Sequence, residues 1–283
     1  MMAVKLLLIL LICFPAFSGV KAVRSATNPA TSIDADGKIN LVITSNTPRT
    51  KNYYNTTGFH LLAGIAKEVA STNYVLNSFF SIDSNSDGLA DNFSKLYGTA
   101  TREECSISNI PNAKSQKLVY TYTGEEASWG AIFSFTTPND SINCSSANVP
   151  VTTSFDVKGD RSGWSTTTGI VFFTVNELDN SGTIQRSCYT SPITNVPIYI
   201  TASWRRVSFQ FTCTDTDTRK IACYFFSKTN IPGVPESGQT INFEIAHVQI
   251  EKSSIPTSFI PTTTTALTRN DETFSNPLIF MGD

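Results

Sequence analysis

From Leu76 to Ile250 the chain is written in short stretches of alternating apolar and polar residues, interrupted by clusters of Gly, Asn, Asp and Pro. Period two is the signature of a strand with one buried face, and no segment sustains a helical period for three turns. VSFQFTC (Val207 to Cys213) and FSFTT (Phe133 to Thr137) show the pattern most plainly. Strands are expected at Lys117 to Tyr122, Ser128 to Thr136, Val151 to Val157, Gly169 to Asn176, Ile198 to Ile200, Arg205 to Thr212, Ile221 to Phe226 and Ile241 to Ile250. That many short strands close most naturally as an all-β, antiparallel jelly-roll sandwich. A chain of 283 residues is long enough to give it a core that needs no staples.

Two stretches bracket this body: TNYVLNS (Thr72 to Ser78), and the run from Asn242 to Asp271. The second reads as a strand that must stop pairing at Pro256 and Pro261, since proline has no N–H to donate. Its residues Gln249, Ile250 and Glu251, then Thr257, Ser258, Phe259, Ile260, Pro261 and Thr262, then Thr268 and Arg269, resemble the closing strand and tail of secreted and phage-structural β-sandwich modules. The segments Arg24 to Ile39, Asn46 to Arg49 and Gly64 to Asn73 are similar to the leader that precedes the sandwich in those proteins. The resemblance implies the fold at both ends, and a role as a carbohydrate-binding module or as a particle subunit.

Residues 1–22 have the layout of a secretory signal: Lys5 ahead of an apolar run from Leu6 to Phe17, then small residues for cleavage. Ile12 before Cys13 argues against a lipoprotein site. No later run approaches about 18 consecutive apolar residues, so a secreted or periplasmic chain that does not span a membrane is expected. The leader is expected over 23–72 as a β-ribbon, with Asp36-Gly37 turning one hairpin. The sandwich then covers 73–262 and a tail 263–283.

The net charge of −2 becomes −4 without the signal, because Lys5 and Lys21 leave and no acid goes with them. No basic stripe can be built from that balance, which excludes a nucleic-acid partner. Charged residues are 16% of the chain and aromatics 11%, leaving a surface of Ser, Thr and Asn suited to an uncharged, hydroxyl-rich ligand.

Without Cys13, five cysteines remain: Cys105, Cys144, Cys188, Cys213 and Cys223. An oxidising compartment favours disulfides. Cys213 with Cys223, flanking an apparent hairpin, is the first expected pair, and Cys105 with Cys144 the second. A nucleophilic thiol would need one of only two histidines, His60 or His247, and is not expected.

DSNSDGLAD (Asp83 to Asp91) is the sharpest chemical motif. Asp83, Asn85, Asp87 and Asp91 carry oxygens at alternate positions and Gly88 permits the turn, as in calcium loops, although Ser94 stands where an EF-hand has its Glu. A structural Ca²⁺ and a solvated Asx turn are the two readings. Trp129, Trp164, Tyr120 and Tyr122 are the candidate carbohydrate platform, since a sugar's C–H face packs on flat rings, while core packing is the alternative for each. Trp204, opening a strand, is read as structural. Glu125, Glu126, Glu177, Glu244 and Glu251 supply carboxyls, but no spacing marks a glycosidase pair. His247 lacks companions for a metal site. Asn55, Asn92, Asn139 and Asn143 head sequons in expected loops. The expectation is a non-catalytic binder of a glycan or polysaccharide. The alternative is an assembly subunit that contacts itself or a particle partner.

Overall fold

The computed structural model describes residues 70–121, 130–144, 148–160, 170–187, 196–199, 201–227, 238, 240–270 and 273–274. It also describes the backbone of the short strands β1 (Arg24–Ser25), β2 (Ala30–Ile33), β3 (Ile39–Val42), β4 (Tyr53–Asn55) and β5 (Gly58–His60). Residues 1–22 lie outside this set. β2 pairs antiparallel with β3, the hairpin expected around Asp36-Gly37.

The body follows as β6 (Ser71–Asn73), β7 (Phe93–Ser94), β8 (Thr99–Glu104), β9 (Lys114–Thr121), β10 (Gly130–Thr136), β11 (Val149–Asp160) and β12 (Ile170–Leu178). It continues with β13 (Ile184–Ser187), β14 (Val196–Tyr199), β15 (Arg205–Cys213), β16 (Lys220–Ser227), β17 (Thr240–Glu251), β18 (Leu267–Arg269) and β19 (Thr273–Phe274). A five-stranded sheet has the order β15-β11-β17-β9-β8, and a six-stranded sheet the order β13-β12-β16-β10-β7 with β14 also on β12. All pairs are antiparallel, and the chain crosses repeatedly between the sheets, as the jelly-roll expectation required.

Alternation sends one face of each strand inward. Phe133 and Phe135 of β10, Phe155 of β11, Phe173 of β12, Phe225 of β16 and Phe243 of β17 are all fully buried. Their rings interlock, with Phe225 5.0 Å from both Phe155 and Phe173. Each such ring contributes about 1.5–3 kcal/mol by leaving water, which makes this layer the main source of cohesion.

The opposite face of β11 and β17 is also buried, and there the side chains are polar: Thr152, Ser154, Asp156, His247, Gln249 and Glu251. What covers them is a strap built from both bracketing stretches. β6 pairs with β18, and Tyr74, Ser78 and Val248 exchange backbone bonds across Ile250, Thr262 and Ser78. Asn73, with no exposed surface, spends its whole carboxamide here. Nδ2 donates to Val248 O (3.1 Å) and Ile260 O (2.8 Å), while Oδ1 accepts from Val75 N (3.1 Å) and Ile250 N (3.2 Å). Glu251 accepts from Ser71 Oγ (2.5 Å), Thr257 N (2.8 Å) and Thr257 Oγ1 (2.7 Å), and the buried Arg269 donates to Ser258. Gln249 Oε1 accepts from Ile260 N at 2.7 Å. The two stretches that bracket the body, Thr72 to Ser78 and the run after Asn242, therefore close the sandwich together.

The cysteine expectations need correction. β15 and β16 belong to different sheets, so residues 214–219 form an arch across the sandwich and not a hairpin, which parts Cys213 from Cys223. Cys213 instead bonds Cys144, 69 residues away, while Cys105 and Cys223 are buried free thiols. The pairing of Cys105 with Cys144 fails for the same reason: Cys105 sits under the strap on the outer side of the five-stranded sheet. Cys188 lies outside the described residues.

Candidate functional site

In the loop from Asp83 to Asp91 the side chains serve the loop itself. Asp83 Oδ2 accepts from Gly88 N at 3.2 Å and lies 3.2 Å from Arg102 Nε. Asp91 accepts from the backbone N–H and the hydroxyl of Ser84, which lower its carboxyl below the ordinary value. Asp87 Oδ1 accepts from Leu89 N at 2.8 Å, and Asn85 bonds both the backbone and the carboxylate of Asp87. These are Asx-type turns. Gly88, at φ +83°, is held to glycine because a Cβ would sit 2.5 Å from Ala100 O. Among the described residues no three His, Cys, Asp or Glu side chains converge as a cation cage. One acceptor is left over: Asp83 Oδ1 is buried without a hydrogen-bond partner.

Of the expected aromatic platform, Trp129, Trp164 and Tyr122 lie outside the described residues. Tyr120 is described and requires a correction. It points from β9 into the core, 5% exposed, beside Tyr97 at 5.9 Å, so its ring offers no face to a ligand. The inward phase of β9, shared with Leu118, decides this. Trp204 is half-buried at the start of β15, packed on the cluster of Phe79, Cys105, Ile110 and Phe259. Its Nε1 donates to Ser106 Oγ at 3.0 Å and Lys158 Nζ lies 4.9 Å above its ring, which fits its structural reading.

The carboxyls are likewise occupied. Glu177, fully buried, accepts from Asp215 N (3.1 Å) and Thr218 Oγ1 (3.0 Å) and so holds the arch between β15 and β16. Glu244 pairs with Lys158 at 3.1 Å, and Glu251 belongs to the strap. Glu125 and Glu126 lie outside the described residues.

A Cys–His–Asp grouping does form under the strap. His247 Nδ1 is 2.8 Å from Asp156 Oδ2 and its Nε2 is 3.9 Å from Cys105 Sγ. His247 sits at φ +48° where the β11–β17 register shifts, and Arg206 donates to its carbonyl at 2.6 Å. Burial pushes the Cys105 thiol up to about 12, so the sulfur stays protonated and unreactive. Phe259 of the strap packs on the His247 ring at 4.8 Å, which makes the group a sealed polar anchor.

A second polar surface, half-buried at most of its described positions, lies on the outer face of the six-stranded sheet. In β16 the residues Ile221, Cys223 and Phe225 point inward, so Ala222 and Tyr224 point out. Register sets Tyr224 opposite Thr174 of β12 on one side and Ser134 of β10 on the other, with Ser94 of β7 beyond. Neighbouring strands stand ~4.8 Å apart, so a half-buried phenol is flanked by hydroxyls on both sides at about the width of a pyranose. Asn176 and Thr136 oppose Ala222 in the next row. None of these side chains is charged, and burial raises the Tyr224 phenol, keeping it protonated. Sequence reasoning passed over Tyr224 because it sits inside IACYFFS, where an apolar run hides which residues alternate outward. β10 and β12 both begin at the end where β16 finishes, as Gly130 opposite Ser227 and Phe172 opposite Phe226 require. Trp129 directly precedes Gly130, and Trp164 precedes β12 in the chain.

No family model and no curated protein matches the chain. Among solved structures it is similar to the enzymatically active domain of tailspike protein 4 of bacteriophage CBA120, at 15% identity and a TM-score of 0.42, over 63% of this chain. The chain spans only 21% of that tailspike chain. It is also similar to a xylan-binding domain from Paenibacillus barcinonensis, at 13% identity and a TM-score of 0.36, covering 66% of this chain and 94% of the other. A carbohydrate-binding module specific for non-crystalline cellulose gives 15% identity and a TM-score of 0.38, covering 62% and 93%.

Proposed function

We propose that this protein is a secreted, non-catalytic glycan-binding sandwich whose ligand packs on Tyr224, on the outer face of the six-stranded sheet. The observation that carries the reading is a hydroxyl-flanked aromatic on a sheet face, while on the other sheet the strap covers the outer side of β11 and β17. A neutral sugar has the matching chemistry: a C–H face for the ring and hydroxyls for Ser134 and Thr174. Trp129 and Trp164 extend this proposal, because they precede β10 and β12 in the chain and both strands start at the same end of that sheet. The Cys144–Cys213 disulfide suits an oxidising compartment, and no helix among the described residues is long and apolar enough to cross a membrane.

The test is isothermal titration against neutral oligosaccharides, with xylohexaose and cellohexaose in the panel. Tyr224→Ala should weaken binding at least tenfold, about 1.4 kcal/mol, and Tyr224→Phe should retain it. No binding by the wild type across the panel, or an unaffected Tyr224→Ala, defeats the reading.

Calcium at Asp83, Asn85, Asp87 and Asp91 belongs to the proposal as a structural ion. The buried, unpartnered Asp83 Oδ1 supports it, and the Arg102 guanidinium beside Asp83 competes with it. A bound ion raises Tm when calcium is added and lowers it under chelation. Identical melting curves with calcium and with EDTA would leave the loop as an Asx turn stabilised by its own hydrogen bonds.

The assembly reading draws on one observation: β1 of the leader pairs with β19 of the tail. Such a joined pair of ends suits a contact with a second copy or a particle. Light scattering decides between a monomer, which opposes this reading, and a defined oligomer.

A further inference from the structure

We infer that Asn176 is a ligand-reading residue of the face centred on Tyr224, its Oδ1 accepting a hydrogen bond from a hydroxyl of the bound glycan; this rests on the reading given above. Asn176 is 7% exposed, and its Oδ1 is enclosed with no hydrogen-bond partner. On β12 the inward residues are Phe173 and Val175, so Asn176 shares the outward side with Thr174. Thr174 is the residue opposite Tyr224, which places Asn176 one outward position from the proposed stacking ring. Its cross-strand neighbour on that side, Ala222, has no polar side-chain group to offer, and Ser187 of β13, opposite it on the other side, is not bonded to Oδ1.

A buried amide oxygen without a donor weakens a fold, and a chain that retains one holds an acceptor whose value is realised only when a donor arrives. The cation on this face, Lys220, already donates to Asn139 Oδ1 and Asn180 O, so the donor for Asn176 is a ligand O–H. The position therefore favours a hydroxyl-bearing ligand. The atom is enclosed, so binding includes a side-chain rearrangement at Asn176 that brings the amide to the ligand.

Stability and affinity separate this role from a structural one. Asn176→Leu preserves volume and removes the orphan acceptor, so Tm should rise by about 2–4 °C while affinity for whichever neutral oligosaccharide of the panel binds falls about tenfold. Asn176→Gln keeps the amide on a longer arm and should fall between. A drop in Tm with unchanged affinity would show that the amide is satisfied inside the fold, by a buried water, and would overturn the inference even if Tyr224→Ala abolishes binding. If the wild type binds nothing in the panel, the Tyr224 reading and this one fall together.

Discussion

At the scale of single residues, this fold spends unusual effort on buried polar groups. Asp156 lies under the strap with Arg206 at 3.2 Å and His247 at 2.8 Å. Burial alone would raise its carboxyl, but Arg206 and His247 outweigh burial and hold it below the ordinary value. A group whose folded value is depressed stabilises the fold above its unfolded value and loses that contribution as pH falls through the folded one. Stability should therefore be flat at neutral pH and decline below about pH 4. Urea unfolding across pH 2–6 checks this: Asp156→Asn should be less stable at neutral pH and show a shallower acid decline. A variant as steep as the wild type would assign the acid sensitivity to other carboxyls.

At the scale of elements, the strap joins residues 175–187 positions apart through a few side chains, Asn73 above all. Asn73→Ala removes four hydrogen bonds at a fully buried site and should cost on the order of 3 kcal/mol. Hydrogen exchange should show the loss first at residues 71–80 and 255–262. Uniformly raised exchange through the Phe155 and Phe225 strands instead would mean the strap is not a separate cooperative unit. Strands such as β11, β15 and β17 were legible in the sequence because their alternation records which face meets the core. β8 and β13 were not, since they lie at sheet edges with mostly exposed or half-exposed residues and so carry little apolar signal. The strap was legible as a pair of recurrent stretches, but not as a contact, because nothing local specifies which carbonyl a distant Asn73 will reach. Cys213 and Cys223 misled for a related reason: a short polar link looks alike whether it turns a hairpin or arches between sheets.

At the scale of the molecule, the two sheets have divided the work. On the five-stranded sheet the strap and the polar anchor around His247 cover β11 and β17. The six-stranded sheet keeps a hydroxyl-rich face with Tyr224 near its centre and Lys220 towards one end. The sequence pointed to a glycan through composition and loop tryptophans, and it placed Tyr120 on the ligand's side when its phase on β9 turns it into the core. Tyr224 needed the sheet register, which sets Thr174 and Ser134 on its two sides. The most direct test is an amide-resolved NMR titration of the isotope-labelled protein with the oligosaccharide that gives the highest affinity. The account predicts shifts that saturate together at Ser134, Thr174, Asn176 and Tyr224, with Asn73, His247 and Glu251 unmoved. Shifts confined to the strap side, or to the outer positions Ser208 and Gln210 of β15, would contradict it.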